Sequence, residues 1–186
     1  DEKGGEERST FMKKIPTLFS RGADGLVTRE LSSPSLSWVL DGGAVATKMR
    51  DGIPILIRHG HALCSVDGEW QMVDGWYAAG GATISGLADA LAYANATVPP
   101  ADGSYELCGP SVKGNPEGLP QDMLISHTRE VLFDKGTRFN FDALEAILRQ
   151  LPREGLVFWS ELGNLDAPMA KIQRLDFGHP WPTGVR

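Results

Sequence analysis

Five short polar islands carry the residue types that could do chemistry in this chain. They are Thr47-Lys48-Met49-Arg50-Asp51-Gly52, Arg58-His59-Gly60, Tyr105-Glu106-Leu107-Cys108-Gly109, Glu154-Gly155-Leu156-Val157 and Lys171-Ile172-Gln173-Arg174. Lysine and arginine can clamp phosphates, while carboxylates can accept from hydroxyls or hold a divalent ion. Each island alone is weak, because an Asp-Gly or Glu-Gly pair usually marks a turn. Arg58 and Glu106 read equally as a solvated pair, and Glu154 as an exposed turn residue. Tyr105, Leu107, Leu156 and Val157 belong to sheet core on either reading.

The elements that must position these islands are mostly strands. Ile53, Ile55 and Ile57 alternate and lead through the turn Arg58-His59-Gly60 into a second strand from His61 to Leu63. Pro54 puts the first of these at a sheet edge or at an irregular start. Leu156 to Trp159 and Met169 to Ile172 form two further strands, joined by a loop containing Gly163-Asn164. From Phe139, the residues Phe141, Leu144, Ile147, Leu148 and Leu151 recur at helical spacing, with Asn140 as N-cap and Pro152 as the stop. Ile84, Leu87, Leu91 and Ala94 predict a second helix, capped by Ser85 and ended before Pro99-Pro100. Gly75, Gly80 and Gly81 mark the most loop-like stretch. With no internal repeat, the pattern predicts one α+β domain of antiparallel sheets with helices outside.

A chain of 186 residues supports one hydrophobic core and hardly two. Asp1 to Thr10 are polar and acidic, and residues 1–11 read as an extension before a natural start at Met12, leaving 12–186 as the domain. No apolar run approaches the ~18–20 residues of a membrane span, and the first residues lack a signal-peptide core. Two cysteines, Cys64 and Cys108, are too few and too far apart for a disulfide scaffold, so a reducing, cytoplasmic setting is expected. His59, His61, His127 and His179 show no metal-site spacing, which argues against structural zinc. A surface position is expected for His127, with a place near an adenine ring as the other reading. The net charge of −6 argues against an extended nucleic-acid-coating surface while leaving room for a local basic site.

In their order, the five islands resemble the covalent nucleotidyltransferase superfamily of DNA ligases, RNA ligases and mRNA capping enzymes. Its signature runs Lys-x-Asp-Gly, Arg-x-Gly, Glu-x-x-Gly, a Glu-Gly strand and a Lys-x-Lys strand. Longer phrases resemble a small 5′–3′ RNA ligase family with bacterial, viral and animal members. They are Lys13-Lys14-Ile15-Pro16-Thr17-Leu18-Phe19, Tyr105-Glu106-Leu107-Cys108-Gly109-Pro110 with Gly114-Asn115-Pro116-Glu117-Gly118-Leu119, and Met169-Ala170-Lys171-Ile172 with Asp176-Phe177-Gly178. The resemblance covers nearly the whole chain from Met12, apart from residues 67–101.

This resemblance implies a single nucleotidyltransferase domain with an ATP-grasp-like ligase core. It implies ATP and Mg2+ or Mn2+ as cofactors, and RNA with 5′-phosphate and 3′-hydroxyl ends as substrate. The implied reaction begins when a lysine amine attacks the α-phosphate of ATP, giving lysyl-AMP. The AMP then passes to the RNA 5′-phosphate, and a 3′-hydroxyl displaces it. Carried over residue by residue, Asp51 and Gly52 complete the nucleotide-binding motif. Arg58 holds ribose or phosphate, Glu106 accepts from the ribose hydroxyls, Glu154 binds metal and Lys171 contacts the α-phosphate.

The departure from the pattern falls at the centre of the mechanism. Counting back from Asp51-Gly52, the nucleophile position is Met49, and Thr47 fixes that register. A thioether is close to lysine in length but cannot form the phosphoramidate. Lys48 is the other candidate, but strand alternation turns it to the opposite face from Met49. Gln173 stands where the resemblance calls for the second lysine of the last strand, so either another cation substitutes there or the phosphate clamp is weaker. Nothing follows Arg186 to form an OB-fold domain, so a minimal RNA ligase is expected over a DNA ligase or capping-type core. The alternative outside the superfamily is a non-catalytic nucleotide- or RNA-end-binding module. Arg58, Glu106, Glu154 and Lys171 are all present beside Met49, which favours a recent or engineered change over long-standing loss.

Overall fold

Strand alternation and long-range antiparallel pairing organise the chain into two principal sheets. The computed structural model describes residues 15–59 and 101–183, and the backbone of three strands at 61–66, 69–74 and 77–78. The elements are β1 (Phe19–Arg21), β2 (Val27–Leu31), the short helix α1 (Ser37–Leu40), β3 (Val45–Met49) and β4 (Ile53–Arg58). They continue through β5 (His61–Val66), β6 (Glu69–Asp74), β7 (Tyr77–Ala78), β8 (Gly103–Cys108), β9 (Met123–Ser126) and β10 (Val131–Phe133). The helix α2 (Phe141–Gln150) follows, then β11 (Gly155–Trp159) and β12 (Met169–Gln173). One sheet has the order β10-β3-β11-β12 and the other β7-β6-β5-β4-β8-β9, while β1 and β2 form a separate hairpin. The strand pairs within these sheets are antiparallel. The expected combination of antiparallel sheets and few helices is present.

Helix α2 forms where the periodicity places it. The Asn140 side chain accepts from the Ala143 N–H at 2.8 Å, satisfying one of the donors that a helix start leaves unpaired. Leu144 and Leu148, four residues apart, are fully buried. At the other end the Arg174 guanidinium donates to the carbonyls of Leu148, Arg149 and Leu151, the last two at 3.0 Å. This buried arginine closes the helix rather than serving a site. The helix expected between Ile84 and Ala94, and Gly75, Gly80 and Gly81, lie outside the described residues.

Of the two positions expected for Pro54, the structure shows the irregular start and not the edge. Strand β4 lies inside its sheet, between β5 and β8, not at an edge. Proline is accommodated because the β5 ladder begins one residue later, at Ile55, while Pro54 faces Glu106 of β8. The absent N–H therefore falls at the irregular start of the strand.

The four-stranded sheet separates core from site. Residues directly opposite in an antiparallel pair project to the same face. One set of rows is Ala46-Phe158-Ala170 and Lys48-Leu156-Ile172; the other is Val45-Trp159-Met169, Thr47-Val157-Lys171 and Met49-Gly155-Gln173. Ala46, Leu156, Phe158, Ala170 and Ile172 join α1, α2 and the β1–β2 hairpin in the hydrophobic core. The second set faces a cavity whose far side is built by β4, β8 and the end of β9.

Candidate functional site

The cavity has a volume of ≈ 250 Å³ and gathers Thr47, Met49, Gly52, Glu106, Glu154 and Lys171 on its walls. Four of the five sequence islands thus converge, although Thr47 and Lys171 lie 124 residues apart in the chain. Along the rows of the sheet, Trp159 and Met169 give one end of the cavity an apolar, aromatic wall, while Gln173 at the other end lies beside Glu154, on which Lys113 acts.

Met49 reaches this cavity because it ends β3 on the same face as Thr47. Its sulfur accepts from Gln173 Nε2 at 3.6 Å, and the same amide donates to Glu154 Oε1 at 3.0 Å. Gln173 can bridge the two because Gly155 stands between it and Met49 in the row. A Cβ at Gly155 would come within 2.2 Å of the Ile172 carbonyl oxygen, so the position demands glycine by close approach. Lys48 borders the cavity too, as a residue between two lining residues must. Its row partners Leu156 and Ile172 are core residues, so its side chain belongs to the face opposite Met49.

Gly52 and Glu106 are joined across two strands. The Gly52 N–H donates to Glu106 Oε1 at 3.2 Å, and a Cβ on Gly52 would meet the Leu107 carbonyl oxygen at 2.1 Å. Glu106 is only 7% exposed, and its second oxygen lies 2.7 Å from His127 Nε2. A carboxylate can only accept, so Nε2 carries a proton; in the neutral ring Nδ1 then accepts from the Ser104 hydroxyl. This Ser104–His127–Glu106 chain fixes the carboxylate at the cavity wall. It also corrects two expectations. Glu106 is not half of a solvated pair with Arg58, and His127 lines the cavity, 6.3 Å from the Trp159 ring, instead of lying on the surface. Trp159 is oriented in turn by donating to Thr47 Oγ1 at 2.9 Å.

Glu154 is not the exposed turn residue of the bland reading. Burial, and next the negative charge of Asp51, push its carboxyl up to about 7, against the smaller opposing pull of Lys113 and Lys171. Its charged form is therefore disfavoured chiefly by burial. Lys171 stands in the Thr47-Val157 row and faces the cavity. Asp51 lies outside the lining: one oxygen accepts from Trp181 Nε1 at 2.9 Å and the other faces Lys113 Nζ at 3.4 Å. Arg58 is exposed at the outer end of β4 and does not line the cavity.

Sequence reasoning passed over two features. Arg50 forms ion pairs with Glu117 and Glu130, and Glu117 is almost fully buried, so the phrase Gly114-Asn115-Pro116-Glu117-Gly118 anchors its loop against β3. Lys113, immediately before that phrase, lines the cavity. Cys108 is a free, buried thiol, pushed far above the ordinary range by burial and then by Glu117, which makes it inert as a nucleophile.

Among the described residues no group of three or more His, Cys, Asp or Glu side chains could hold a metal by itself. Glu154 is the cavity carboxylate that could serve as a single protein ligand to a hard divalent ion, which commonly keeps most of its other positions for water or phosphate oxygens. Among those residues, too, no helix is long and apolar enough to cross a membrane.

No protein-family model matches the chain, and no curated protein does. Among solved structures it is similar to a lysine-to-methionine mutant of Naegleria gruberi RNA ligase with AMP and Mn, at 14% identity and a TM-score of 0.47, over 89% of this chain and 60% of that one. It is also similar to a lysine-to-alanine mutant of the same ligase with ATP and Mn, at 13% identity and a TM-score of 0.48, over 86% and 60%. A third, an arginine-to-alanine mutant with ATP and Mn, matches at 16% identity and a TM-score of 0.45, over 86% and 57%. The chain thus spans about three fifths of the length of these ligases.

Proposed function

We propose that the parent of this chain is an ATP-dependent RNA ligase joining 5′-phosphate and 3′-hydroxyl ends through lysyl-AMP, and that this chain is its blocked form, with Met49 at the nucleophile position. The observation that carries the reading is the placement of Met49, Glu106, Glu154 and Lys171 on the walls of one cavity, with Lys48 turned to the other face of β3. A lysine at position 49 would present its amine beside Glu154 and Gln173, near Lys171, where an α-phosphate can be held. Glu106, whose carboxylate is held by the Gly52 N–H and His127, is the group assigned to accept from ribose hydroxyls. Lys171 balances phosphate charge, and Glu154 is the carboxylate to hold Mg2+ or Mn2+, which would supply further charge neutralisation at the phosphates. The chain as given then binds ATP and stops before covalent chemistry, because a thioether cannot form a stable phosphoramidate.

The test is incubation of the chain and its Met49→Lys variant with α-labelled ATP and a divalent cation, without RNA. Label on Met49→Lys alone is the expected result. Label on the unaltered chain at Lys48 would refute the register. If neither protein takes label or binds ATP, the ligase reading fails. A non-catalytic RNA-end-binding module would bind nucleotide or RNA ends yet leave Met49→Lys unlabelled. A DNA ligase or capping-type core would seal no RNA when RNA with 5′-phosphate and 3′-hydroxyl ends is added to Met49→Lys afterwards.

A further inference from the structure

The loop between β8 and β9 is held in a conformation that L-residues avoid. Lys113, Gly114 and Asn115 have φ of 50°, 72° and 56°, three successive left-handed residues of which only the middle one is glycine. Such backbone persists only where its surroundings over-determine it, and it clusters at functional sites. The fastenings are visible on both sides. The Asn115 side chain donates to the Leu119 carbonyl at 2.8 Å and accepts from the Leu119 N–H at 3.0 Å. Ser111 donates through its N–H and hydroxyl to Asp122 at 3.0 and 2.8 Å, Val112 is buried, and Glu117 is locked to Arg50. Between these anchors Lys113 is carried to the cavity wall.

Its ammonium is loosely held there. The contact with Asp51 is 3.4 Å, long for a charge-assisted hydrogen bond, and the side chain is 51% exposed. The other Asp51 oxygen is already engaged by Trp181. Lys113 lines the cavity beside Asp51 and close enough to Glu154 to act on its charge, and Glu154 is hydrogen-bonded to Gln173 in the Met49 row, two rows from Trp159. A ligand with its base at the aromatic end and its α-phosphate at Met49 would direct its remaining phosphates toward that ammonium.

We propose that Lys113 is a phosphate-binding residue that engages the β- and γ-phosphates of a bound nucleoside triphosphate, making the site selective for triphosphate over monophosphate. The proposal rests on the nucleotide-binding reading above. It gives the rigid loop a purpose: delivery of a cation that neither β3 nor β12 provides at this end of the cavity.

The decisive variants are Lys113→Gly and Lys113→Arg in the full chain, with ATP and AMP affinities measured calorimetrically at fixed Mg2+. Glycine adopts a φ of 50° without strain, so Lys113→Gly removes the ammonium and relaxes the backbone. Lys113→Gly is expected to weaken ATP about tenfold or more while moving AMP less than about threefold, and Lys113→Arg to keep most ATP affinity. Unchanged ATP affinity in Lys113→Gly, or equal losses for ATP and AMP, would overturn the proposal while leaving nucleotide binding intact. A parent chain that binds neither nucleotide would overturn both readings together.

Discussion

Replacing Glu154 by glutamine isolates the electrostatic cost of the cavity. Glutamine keeps the carbonyl oxygen that accepts from Gln173 at 3.0 Å but cannot ionise. In the folded protein burial and then Asp51 raise the Glu154 carboxyl from the ordinary 4.5 to about 7. A carboxyl raised on folding favours the native state when protonated, so that contribution is complete below about pH 4.5 and is lost as pH climbs through about 7. At roughly 1.4 kcal/mol per pH unit, the rise sets a ceiling of about 3 kcal/mol. The carboxyl is not fully enclosed, so solvent screening reduces the working figure to about 1–2 kcal/mol. Glu154→Gln should therefore match the parent at pH 4.5 and exceed it by about 1–2 kcal/mol at pH 8, or roughly 2–8 °C in Tm for a chain of this size. Urea unfolding midpoints at both pH values, without divalent ions, measure this directly. Equal stability of the two proteins at pH 8, or a gain of the same size at both pH values, would refute the reasoning. Stabilisation of the parent by ATP with Mg2+ should also shrink in the variant, since the carboxylate assigned to the ion is gone.

Three further substitutions probe Glu106 through the two groups that hold it. His127→Ala deletes the donor that fixes Glu106 and leaves Ser104 without its acceptor, so ATP affinity should fall about ten- to a hundredfold; His127→Gln, which keeps an N–H donor, should recover most of it in the same titration. Gly52→Ala drives a Cβ to within 2.1 Å of the Leu107 carbonyl, and should destabilise the fold by about 3 kcal/mol or more, read from urea unfolding.

The readable parts of this protein are those whose cause is local. Asn140, the leucines four apart and Pro152 mark α2 from its first residue to its stop, because caps and helical spacing act within a few residues. The apolar runs of β11 and β12 and the alternation leading into the paired strands β4 and β5 were equally legible. Alternation also separated Met49 from Lys48, since a period of two assigns adjacent residues to opposite faces wherever the strand pairs. Arg58 could not be placed this way. It ends β4 exposed and outside the cavity lining, because the length of the strand carries it past the site.

Sequence by itself thus determined α2, the strands β4, β5, β11 and β12, and the opposite faces taken by Lys48 and Met49. Only the tertiary structure decided which of those faces meet. Pro54 sits in an interior strand because the ladder beside it starts one residue late. His127 is drawn to Glu106 because β9 lies against β8, and Lys113 reaches the cavity because Asn115, Asp122 and Arg50 hold its loop in place. These outcomes depend on sheet register and on contacts tens of residues apart, where the free energy of one pairing competes with every other. No short stretch of sequence contains that competition.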